Sequence, residues 1–464
     1  MPLEQALGAG VQVLSVPFVE RRFHRRDDPV TSTTASRSAC SSSGSPPPTH
    51  IQGRSGRNSG LPTAQLPNLA GPGFRTRFRR SFPSFLKVRA RVDEAMTTNL
   101  GNAPPLRVQP LALADPRVAV AWRQLQAVGG VSSPFLAWEL FSALADVSEL
   151  SGGTQVLVAD DGDRPVGLLP VEPHDGPRGL SALGLTPRWL GADHLDVVAE
   201  PRHRPTVARA VVRHLAARRD WQMLDLDGLD RSGDLIQQLR LLLRPPRFLP
   251  LPPIGIPVPY VALHEATEAW RSNAMKEAAR KLRAIQRGGG GFSVVRSPEQ
   301  VVELLEELMD LLNQRFAAIS AVFATAARRR FHLLAARRMA EAGMARIYRL
   351  VADGTNAGLQ YDFALGDRVF FYSSGILPTA GRSPGLVVLG SAISSAAEEG
   401  FREFDLLRGD EPYKLRFSTG TRRNLRLLVF RLTASASLRG GSWATSRALR
   451  QLTSQVRARI TRSG

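Results

Sequence analysis

The chain has 464 residues, 43% of them hydrophobic, which is enough apolar sequence for two or three domains with substantial cores. Its single cysteine, Cys40, excludes an internal disulfide framework and a thiolate-rich zinc site, and this cysteine usage favours the reducing cytoplasm. No segment approaches the roughly 20 unbroken apolar residues that a membrane-spanning helix needs. We therefore expect a cytoplasmic protein without a membrane span.

The formal net charge of +20 raises the question of nucleic acid binding. After residue 95 the basic residues are scattered among acids and apolar residues, and neither a basic and aromatic stacking strip nor a zinc-finger spacing occurs. We expect a solvated basic surface that attracts a polyanionic ligand, in preference to DNA or RNA binding. No metal-ligand spacing appears, so no metal site is expected.

Residues 1–95 are dominated by Ser, Pro, Gly and Arg over most of their length and lack a periodic apolar pattern. This composition predicts a disordered extension, because it cannot bury enough apolar surface to form a core. Met96 begins a short polar lead-in typical of a domain start. Two alternatives follow: the native protein begins at Met96, or the extension is an organellar transit peptide.

Residues 105–263 have the texture of an α/β unit. A strand-like segment is followed by Asp115 and Pro116, a pair that predicts a helix start because Asp accepts the free N–H groups and Pro suits the first helical position. A second helix, two strands joined by an Asp-Gly turn at Gly162, a further helix and a further strand follow.

Residues 270–432 repeat this order of elements. A basic helix and a strand lead to two helices, and a three-stranded meander follows with turns at Gly354 and Gly366. A loop, an Ala-rich helix, a strand, a short helix and a final strand complete the unit. The repetition predicts a duplicated domain, and residues 433–464 form a basic tail.

Small residues fill the loop TAGRSPG, between a predicted strand and the first turn of a predicted helix. Unpaired N–H groups and the helix dipole at such a position attract phosphate oxygens. Arg382 adds a charge for the same ligand. The alternative is an ordinary Pro-Gly helix start without a ligand.

Polar residues crowd the segment FDLLRGDEPYKLRF, which follows a predicted strand end. Ligands of such sheets bind beyond the strand ends, so we expect these side chains to face a cleft. Asp410 and Glu411 suit the first turn of a short helix that begins at Pro412 and carries Tyr413. In the alternative interpretation these acids cap that helix and pair with arginines.

The second unit resembles the GNAT superfamily of acyl-CoA N-acyltransferases, and within it the CelD/BcsL-like acetyltransferases. The resemblance rests on a Ser-Pro-Gly helix start, an Ala-rich helix ending in Gly, a strand with Asp, and an Arg-Gly-acid-x-x-Tyr-Lys motif. The residues that match are Ser383, Pro384, Gly385, Gly400, Asp405, Arg408, Gly409, Asp410, Tyr413 and Lys414. The Arg/Gln-x-x-Gly-x-Gly loop of typical GNAT enzymes is missing, so the resemblance places the phosphate site here by position alone.

This resemblance implies an α/β fold of two tandem GNAT-like units, each a mixed, mostly antiparallel sheet flanked by helices, with the acyl-CoA site in the second. It implies transfer of an acyl group, expected to be acetyl from acetyl-CoA, to an amine of a sugar, a polysaccharide or envelope precursor, or a small metabolite. The alternatives are a Fem-like aminoacyl transferase using charged tRNA and a non-catalytic GNAT-like module of a polysaccharide assembly. The acceptor, the acyl chain and the oligomeric state are left open.

The expected site residues fall into three groups. Tyr413 is the expected acid for the leaving thiolate, because a phenol of ordinary pKa about 10 can donate a proton there. Asp405 is expected to orient the incoming amine or a water molecule. The expected cofactor-binding residues are Gly381, Arg382, Ser383, Gly385 and Lys414, and the expected acceptor-binding residues are Tyr361, Asp362, Tyr372 and Arg408. The alternative for the strand residues Tyr361 and Tyr372 is aromatic core packing.

The histidines carry weaker signals. His194 lies between Asp193 and Asp196 in the first unit and is expected either to line a substrate groove or to be a satisfied or exposed loop histidine. His332, in an Arg-rich helix, and His264 are expected at the surface.

Overall fold

The computed structural model describes residues 106–263, 272–316, 321–377 and 383–432. The predicted disordered extension (1–95) and the predicted basic tail (433–464) lie outside the described residues, as do Gly381, Arg382 and His264. We refer to residues 106–263 as the first half and to residues 272–432 as the second half.

Strands and helices alternate along the first half. In chain order they are β1 (Arg107–Ala112), α1 (Pro116–Ala127), α2 (Trp138–Ala145), α3 (Ser148–Ser151), β2 (Gln155–Asp161), β3 (Arg164–Asp175), β4 (Ser181–Leu185), β5 (Val198–Ala199), α4 (Arg204–Ala217), β6 (Met223–Asp230), α5 (Asp234–Leu242), β7 (Phe248–Pro250) and β8 (Ile254–Ala262). The predicted helix start at Asp115 is confirmed, because its carboxylate accepts a hydrogen bond from the Arg117 N–H at 2.9 Å.

The second half follows the predicted order. Its elements are α6 (Asn273–Arg287), β9 (Gly291–Val295), α7 (Pro298–Phe316), α8 (Ala326–Glu341), β10 (Ala345–Ala352), β11 (Thr355–Leu365), β12 (Arg368–Ile376), α9 (Pro384–Glu398), β13 (Glu403–Asp405), α10 (Pro412–Leu415) and β14 (Gly420–Arg431). The meander β10–β12 is confirmed, with Gly354 and Gly366 at φ +75° and +60° in its turns. Glycine adopts such conformations without the steric cost of a Cβ atom.

Among the described residues, 14 strands form one sheet. Twelve of them follow the order β1-β2-β3-β4-β6-β14-β8-β13-β12-β11-β10-β9, while β5 pairs with β3 and β7 pairs with β14. The neighbours β4–β6 and β12–β13 are parallel, and the other pairs are antiparallel. The predicted fold class, a mixed and mostly antiparallel α/β arrangement flanked by helices, is confirmed.

The two halves exchange their last strands. Strand β8 ends the first half, yet it pairs with β13 of the second half. Strand β14 ends the second half, yet it pairs with β6 of the first half and with β8. Each half therefore supplies a strand that completes the sheet of the other. The domain boundaries at 105–263 and 270–432 stay predictions.

Different helices cover the two faces of the second-half sheet. One face, which carries Tyr361 and Phe370, packs on α7 and α8 and is continuous with the core of the first half. The opposite face, which carries Tyr348 and Phe371, packs on α6 and α9. We call them the α7/α8 face and the α6/α9 face. Within the described part of the chain, no helix combines the length and apolarity that a membrane crossing requires.

Candidate active site

Strands β12 and β13 part shortly after they pair. They are paired in parallel over three residues each, and the last pair is Phe370 with Asp405. Strand β12 continues to Ile376, whereas the chain after Asp405 follows β8: the Leu406 N–H donates to the Pro259 carbonyl oxygen at 3.0 Å. An opening therefore lies between β12 and residues 406–409, which we call the β12–β13 cleft. Strand ends of this kind are where α/β sheets bind ligands.

A β-bulge lies in β12 beside this cleft. Tyr361 pairs with Ser373 while Asp362 pairs with Phe371, which leaves Tyr372 as an extra residue on β12. Bulges of this type re-aim side chains and backbone groups next to binding sites. Here the Tyr372 N–H faces the Asp362 carboxyl group.

Buried polar groups gather on the α6/α9 face near the cleft. The Gln360 amide Nε2 donates to Oδ2 of Asp362 at 2.8 Å, and both side chains are fully buried. Among the described residues, Asp362 Oδ1, Gln360 Oε1 and the Tyr348 hydroxyl lack a hydrogen-bond partner. An unpaired buried polar group costs about 1–3 kcal/mol. Three of them on one face mark a place where a polar ligand or ordered water completes the hydrogen bonds.

Tyr413, the expected acid, lies on the short helix α10 and packs half-buried against the core of the α6/α9 face. Burial raises the pKa of the Tyr413 phenol well above its usual value, and the nearby Glu411 and Asp362 raise it further. Burial likewise raises the pKa of Asp362, an effect that the Gln360 amide and Arg346 partly offset. Tyr413 therefore keeps its proton at neutral pH and has it available for donation.

A buried ion cluster occupies the α7/α8 face at the same strand end. The Asp405 carboxylate is fully buried and lies 2.8 Å from Nε2 of His194. It also pairs with Arg422 of β14 and accepts the Leu407 N–H at 2.7 Å. Burial alone would raise the pKa of Asp405, but His194 and Arg422 hold it well below its usual value. Asp405 is therefore ionised at neutral pH and already engaged.

Arg408 joins the two halves behind this cluster. Its guanidinium lies 3.0 Å from a carboxylate oxygen of Asp193 and 3.0 Å from one of Asp227. Asn424 donates to the same Asp193 carboxylate at 3.0 Å. Attraction to these carboxylates outweighs burial and raises the pKa of Arg408. The N–H groups of Arg408, which were expected to bind the acceptor, therefore bind residues of the first half.

Lys414 lies across the cleft. Its ammonium donates to the Arg408 carbonyl oxygen at 2.6 Å, pairs with Glu411 at 3.1 Å and lies 5.9 Å from the Phe371 ring centroid. Burial lowers the pKa of Lys414, and Glu411 opposes this. As predicted for α10, the helix begins at Pro412, and Glu411 pairs with a basic residue, as in the alternative interpretation of the acids. Lys414 therefore links α10 to the backbone at Arg408 beside the cleft.

The first turn of α9 lies next to a lysine from α6. Ser383 precedes the helix at φ +57°, and its hydroxyl accepts a hydrogen bond from Lys281 Nζ at 2.8 Å. Gly385 lies in the first turn. The N-terminus of α9, where the helix dipole is positive, and the Lys281 ammonium therefore place positive charge side by side.

The expected site residues are distributed over both faces. Asp362 and Tyr413 share the α6/α9 face, whereas Asp405 lies on the other face, where Tyr361 and Tyr372 pack in an aromatic cluster. Tyr361 and Asp362 are neighbours in one strand and so point to opposite faces. The Tyr372 hydroxyl donates to the Leu190 carbonyl oxygen at 3.3 Å.

The surface position expected for His332 is wrong. Its ring is buried, 4.5 Å from the Phe323 ring and 5.0 Å from the Phe331 ring. Helix α8 packs between α2 and α7, so one of its faces is internal although arginines populate the others. Burial lowers the pKa of His332 to about 3.

Four residues of the site were not predicted: Gln360, Tyr348, Arg422 and Lys281. A signal existed for Gln360, because it stands two residues before Asp362 in an otherwise apolar strand, and such residues share a face. Arg422 carried no signal, since it is one of many arginines and its partner follows from strand pairing. His194 is buried, and its Nε2 lies 2.8 Å from a carboxylate oxygen of Asp405.

Comparison with known proteins addresses the second half directly. Residues 271–415 match the model of the acetyltransferase (GNAT) domain. This segment is a GNAT domain. It contains the β12–β13 cleft, Asp405 and Tyr413. The match does not distinguish the CelD/BcsL-like branch, which stays a prediction.

Solved structures match this chain at low sequence identity. FemX gives a TM-score of 0.47 at 10% identity and covers 68% of this chain and 97% of its own. L-PGS from Bacillus licheniformis gives 0.45 at 12% identity, with 72% and 96% covered. A tandem GNAT protein from the clavulanic acid biosynthesis pathway gives 0.38 at 16% identity, with 70% and 98% covered. Such scores support no conclusion about what this chain binds. No curated protein matches the sequence.

Among the described residues, no group of three or more His, Cys, Asp or Glu side chains is arranged to hold a metal ion.

Proposed function

We propose that the protein is an N-acyltransferase that moves an acyl group from an acyl-CoA thioester to an amine at the β12–β13 cleft. The observation that carries the proposal is the parting of β12 and β13 at Phe370 and Asp405, with polar groups on both faces of the opening. One reactant can therefore approach from each face, and the two meet between the strands. We propose that the donor site lies in residues 270–432, with the first half as a partner.

The α6/α9 face suits the thioester donor. Ser383, Gly385 and Lys281 form the positive first turn of α9, where diphosphate oxygens find N–H donors and charge. Gly381 and Arg382, outside the described residues, precede this turn and are proposed to extend the phosphate site. The unpaired polar atoms of Gln360, Asp362 and Tyr348 suit the amide groups of the pantetheine arm, which both donate and accept hydrogen bonds.

The reaction itself needs no covalent enzyme intermediate. The amine nitrogen attacks the thioester carbonyl carbon, a C–N bond forms, and the C–S bond breaks. Tyr413 donates its proton to the leaving thiolate, because it lies on the donor face and is protonated at neutral pH. Lys414 supports the cleft wall and is not assigned to phosphate, since its ammonium is fully buried and bound to Arg408 and Glu411.

The acceptor amine is proposed to enter from the α7/α8 face. Tyr361 and Tyr372 are buried on this face and are proposed to support the wall of the acceptor site from within the core, while Arg408 holds the first half against this face. On the CelD/BcsL-like motif that ends in Lys414 we further propose acetyl as the acyl group and a sugar, a polysaccharide or envelope precursor, or a small metabolite as the acceptor. We also propose a cytoplasmic location.

Two measurements on the full chain test the proposal. Acetyl-CoA should raise the melting temperature, because a ligand that binds the folded state stabilises it. A panel of primary amines that includes D-glucosamine, spermidine and lysine should then contain an amine that releases free CoA thiol from acetyl-CoA. Absence of both responses would contradict the assignment.

A second candidate donor, charged tRNA, has one specific observation in its favour. Lys276, Arg280, Arg283 and Arg287 are exposed on α6. Their spacing of four, three and four residues puts them on one face of the helix, and none takes part in a described ion pair. Such a stripe suits a polyanion.

Salt dependence separates the two donors. Binding of tRNA through this stripe should weaken steeply between 50 and 200 mM salt. A variant with all four residues changed to Gln should lose that dependence, while a variant with four Gln replacements at exposed arginines of the first half keeps it. If tRNA binds weakly and equally to both variants, the result contradicts charged tRNA as the donor and favours acyl-CoA.

A further inference from the structure

We infer that His194, delivered by the first half, is the general base that removes a proton from the acceptor amine, with Asp405 as its positioning residue. The inference rests on the proposed acyl transfer. It assigns to the first half a direct part in a reaction whose donor site lies in the second.

The position of the imidazole is the first argument. Asp405 stands between Phe404 and Leu406, which belong to the core of the α6/α9 face, so alternation along the strand turns its carboxylate to the α7/α8 face. There it meets His194, whose ring centroid lies 6.2 Å from that of Phe370, the residue paired with Asp405 across the parting strands. The imidazole thus stands at the cleft, on the face opposite Tyr413.

The loop that carries His194 is held from several sides. His194 itself has φ +58°, a left-handed conformation that is uncommon for residues with a Cβ atom. Ser133 donates to the Asp193 carbonyl oxygen at 2.8 Å, and the Asp193 carboxylate binds Arg408. On the other side the Asp196 carboxylate accepts the Leu235 N–H at 2.8 Å, at the start of α5. A strained residue held this firmly is typical of a functional position.

The tautomer is the next argument. Because Nε2 faces the Asp405 carboxylate at 2.8 Å, Nε2 carries the ring proton in the neutral form. The lone pair then lies on Nδ1. None of the hydrogen bonds of the described residues uses Nδ1 of His194. The ring is therefore oriented by one nitrogen and free to accept a proton at the other.

The charges around His194 favour a basic imidazole. Burial lowers its pKa, but Asp405 and Asp193 outweigh burial and raise it above the usual value, with Arg422 opposing them. These are the charged groups that face the ring from β13, from its own loop and from β14. A raised pKa makes the imidazole a stronger base, and the base form prevails only above that pKa.

The complete step balances as follows. The amine gives one proton to Nδ1 of His194 and its nitrogen forms the C–N bond with the thioester carbonyl carbon. The C–S bond breaks, and the thiolate takes the proton of Tyr413. His194 then releases its proton to solvent, and the Tyr413 phenolate takes up a proton from solvent. The products are the amide and free CoA thiol.

The test compares His194→Gln with His214→Gln, a matched change on α4 outside the cluster. With the best amine of the panel, kcat/KM of His194→Gln should fall about 10²- to 10⁴-fold while the Kd for acetyl-CoA stays within twofold. The rise of kcat/KM with pH through the His194 pKa should disappear in His194→Gln and persist in His214→Gln. Added imidazole should restore part of the rate to His194→Ala and none to His214→Gln.

A measurement that needs no turnover tests the role of His194 separately from the proposed acyltransferase function. NMR titration of the His194 ring should show a pKa above the usual 6.5 that drops in Asp405→Asn. A wild-type rate and pH profile in His194→Gln, or a ring pKa indifferent to Asp405→Asn in a folded variant, overturns the inference. Failure of the wild-type chain to acylate any amine with acetyl-CoA overturns the proposed function instead.

Discussion

Asp225 and Asp405 occupy equivalent positions in the two halves of the sheet. Each is the last residue of its strand to take part in a parallel pair, opposite Gly184 in β4 and Phe370 in β12. Both side chains are buried. The two halves therefore each place a buried carboxylate at the end of a parallel strand pair.

The partners of the two carboxylates differ. Asp225 lies 3.0 Å from Arg188 and 2.7 Å from Arg426, whereas Asp405 has His194 as a partner. An arginine stays protonated in proteins, while an imidazole exchanges a proton near neutral pH. The cluster at Asp405 is therefore suited to proton transfer, and the cluster at Asp225 is suited to holding strands together.

Asp225→Asn should separate these roles. The change leaves Arg188 and Arg426 without their shared carboxylate, and loss of one partner of a buried pair lowers the free energy of unfolding by about 3 kcal/mol. Turnover, measured well below the melting temperature, should stay near that of the wild type. Asp405→Asn is the comparison and should lose turnover as well. An equal loss of turnover in both variants would contradict the distinction.

Tyr413→Phe tests the proposed acid. The change keeps the ring in the core of the α6/α9 face and removes the hydroxyl alone. We expect turnover to fall by about 10²-fold or more, as for loss of a general acid, while the Kd for acetyl-CoA and the melting temperature change little. Stopped-flow measurement of CoA release gives the rate. Near-normal turnover would assign Tyr413 to packing.

Gly385→Asp tests the phosphate site. A carboxylate in the first turn of α9 repels a diphosphate, yet it suits the helix dipole and should leave the fold intact. We expect the Kd for CoA to rise severalfold or more, measured by calorimetry, with an unchanged circular dichroism spectrum. Gly385→Ala, which adds a methyl group without charge, is the matched control. Equal affinities of the two variants for CoA would place the phosphates elsewhere.

The strand exchange predicts that the halves depend on each other. Residues 105–263 expressed alone lack β14, which covers one edge of both β6 and β8. Exposed strand edges pair with other chains, so we expect this fragment to aggregate or to be digested rapidly by protease. The fragment 105–432 is the control and should resist protease. A stable, monomeric fragment 105–263 would show that the exchange is dispensable.

His332 should make stability depend on pH. Its pKa of about 3 in the fold lies below the ordinary value near 6.5, so the unfolded chain binds a proton that the folded chain does not. The stability that the fold gains from a neutral His332 is fully present above pH 6.5. As pH falls below 6.5, the free energy of unfolding decreases by about 1.4 kcal/mol per pH unit. Urea unfolding at pH 7, 6 and 5 measures the slope. His332→Leu should show a shallower slope, and an unchanged slope would contradict this origin.

Local signals in the sequence were sufficient for the element order. The Asp115 cap, the turn at Gly162 and the meander turns at Gly354 and Gly366 depend on residues close together in the chain, and the structure confirms each of them. The polar strand end at Asp405 was likewise visible, because charged residues directly follow an apolar strand.

Tertiary structure alone decided which residues meet. His194 and Asp405 come from different halves, and their contact depends on a loop held by Arg408. The exchange of β8 and β14 involves hydrogen bonds between backbone groups, which are the same for every residue type and so leave no mark in the sequence.

The faces of the elements were decided in the same way. Side-chain alternation places Tyr361 and Asp362 on opposite faces of the sheet. Only the packing of α7 and α9 determines which face each of them occupies. His332 shows the limit most plainly: an Arg-rich helix predicts exposure, and its burial follows from helices on two sides of α8. The sequence by itself determined the elements and their chemistry; the packing between distant segments determined the site.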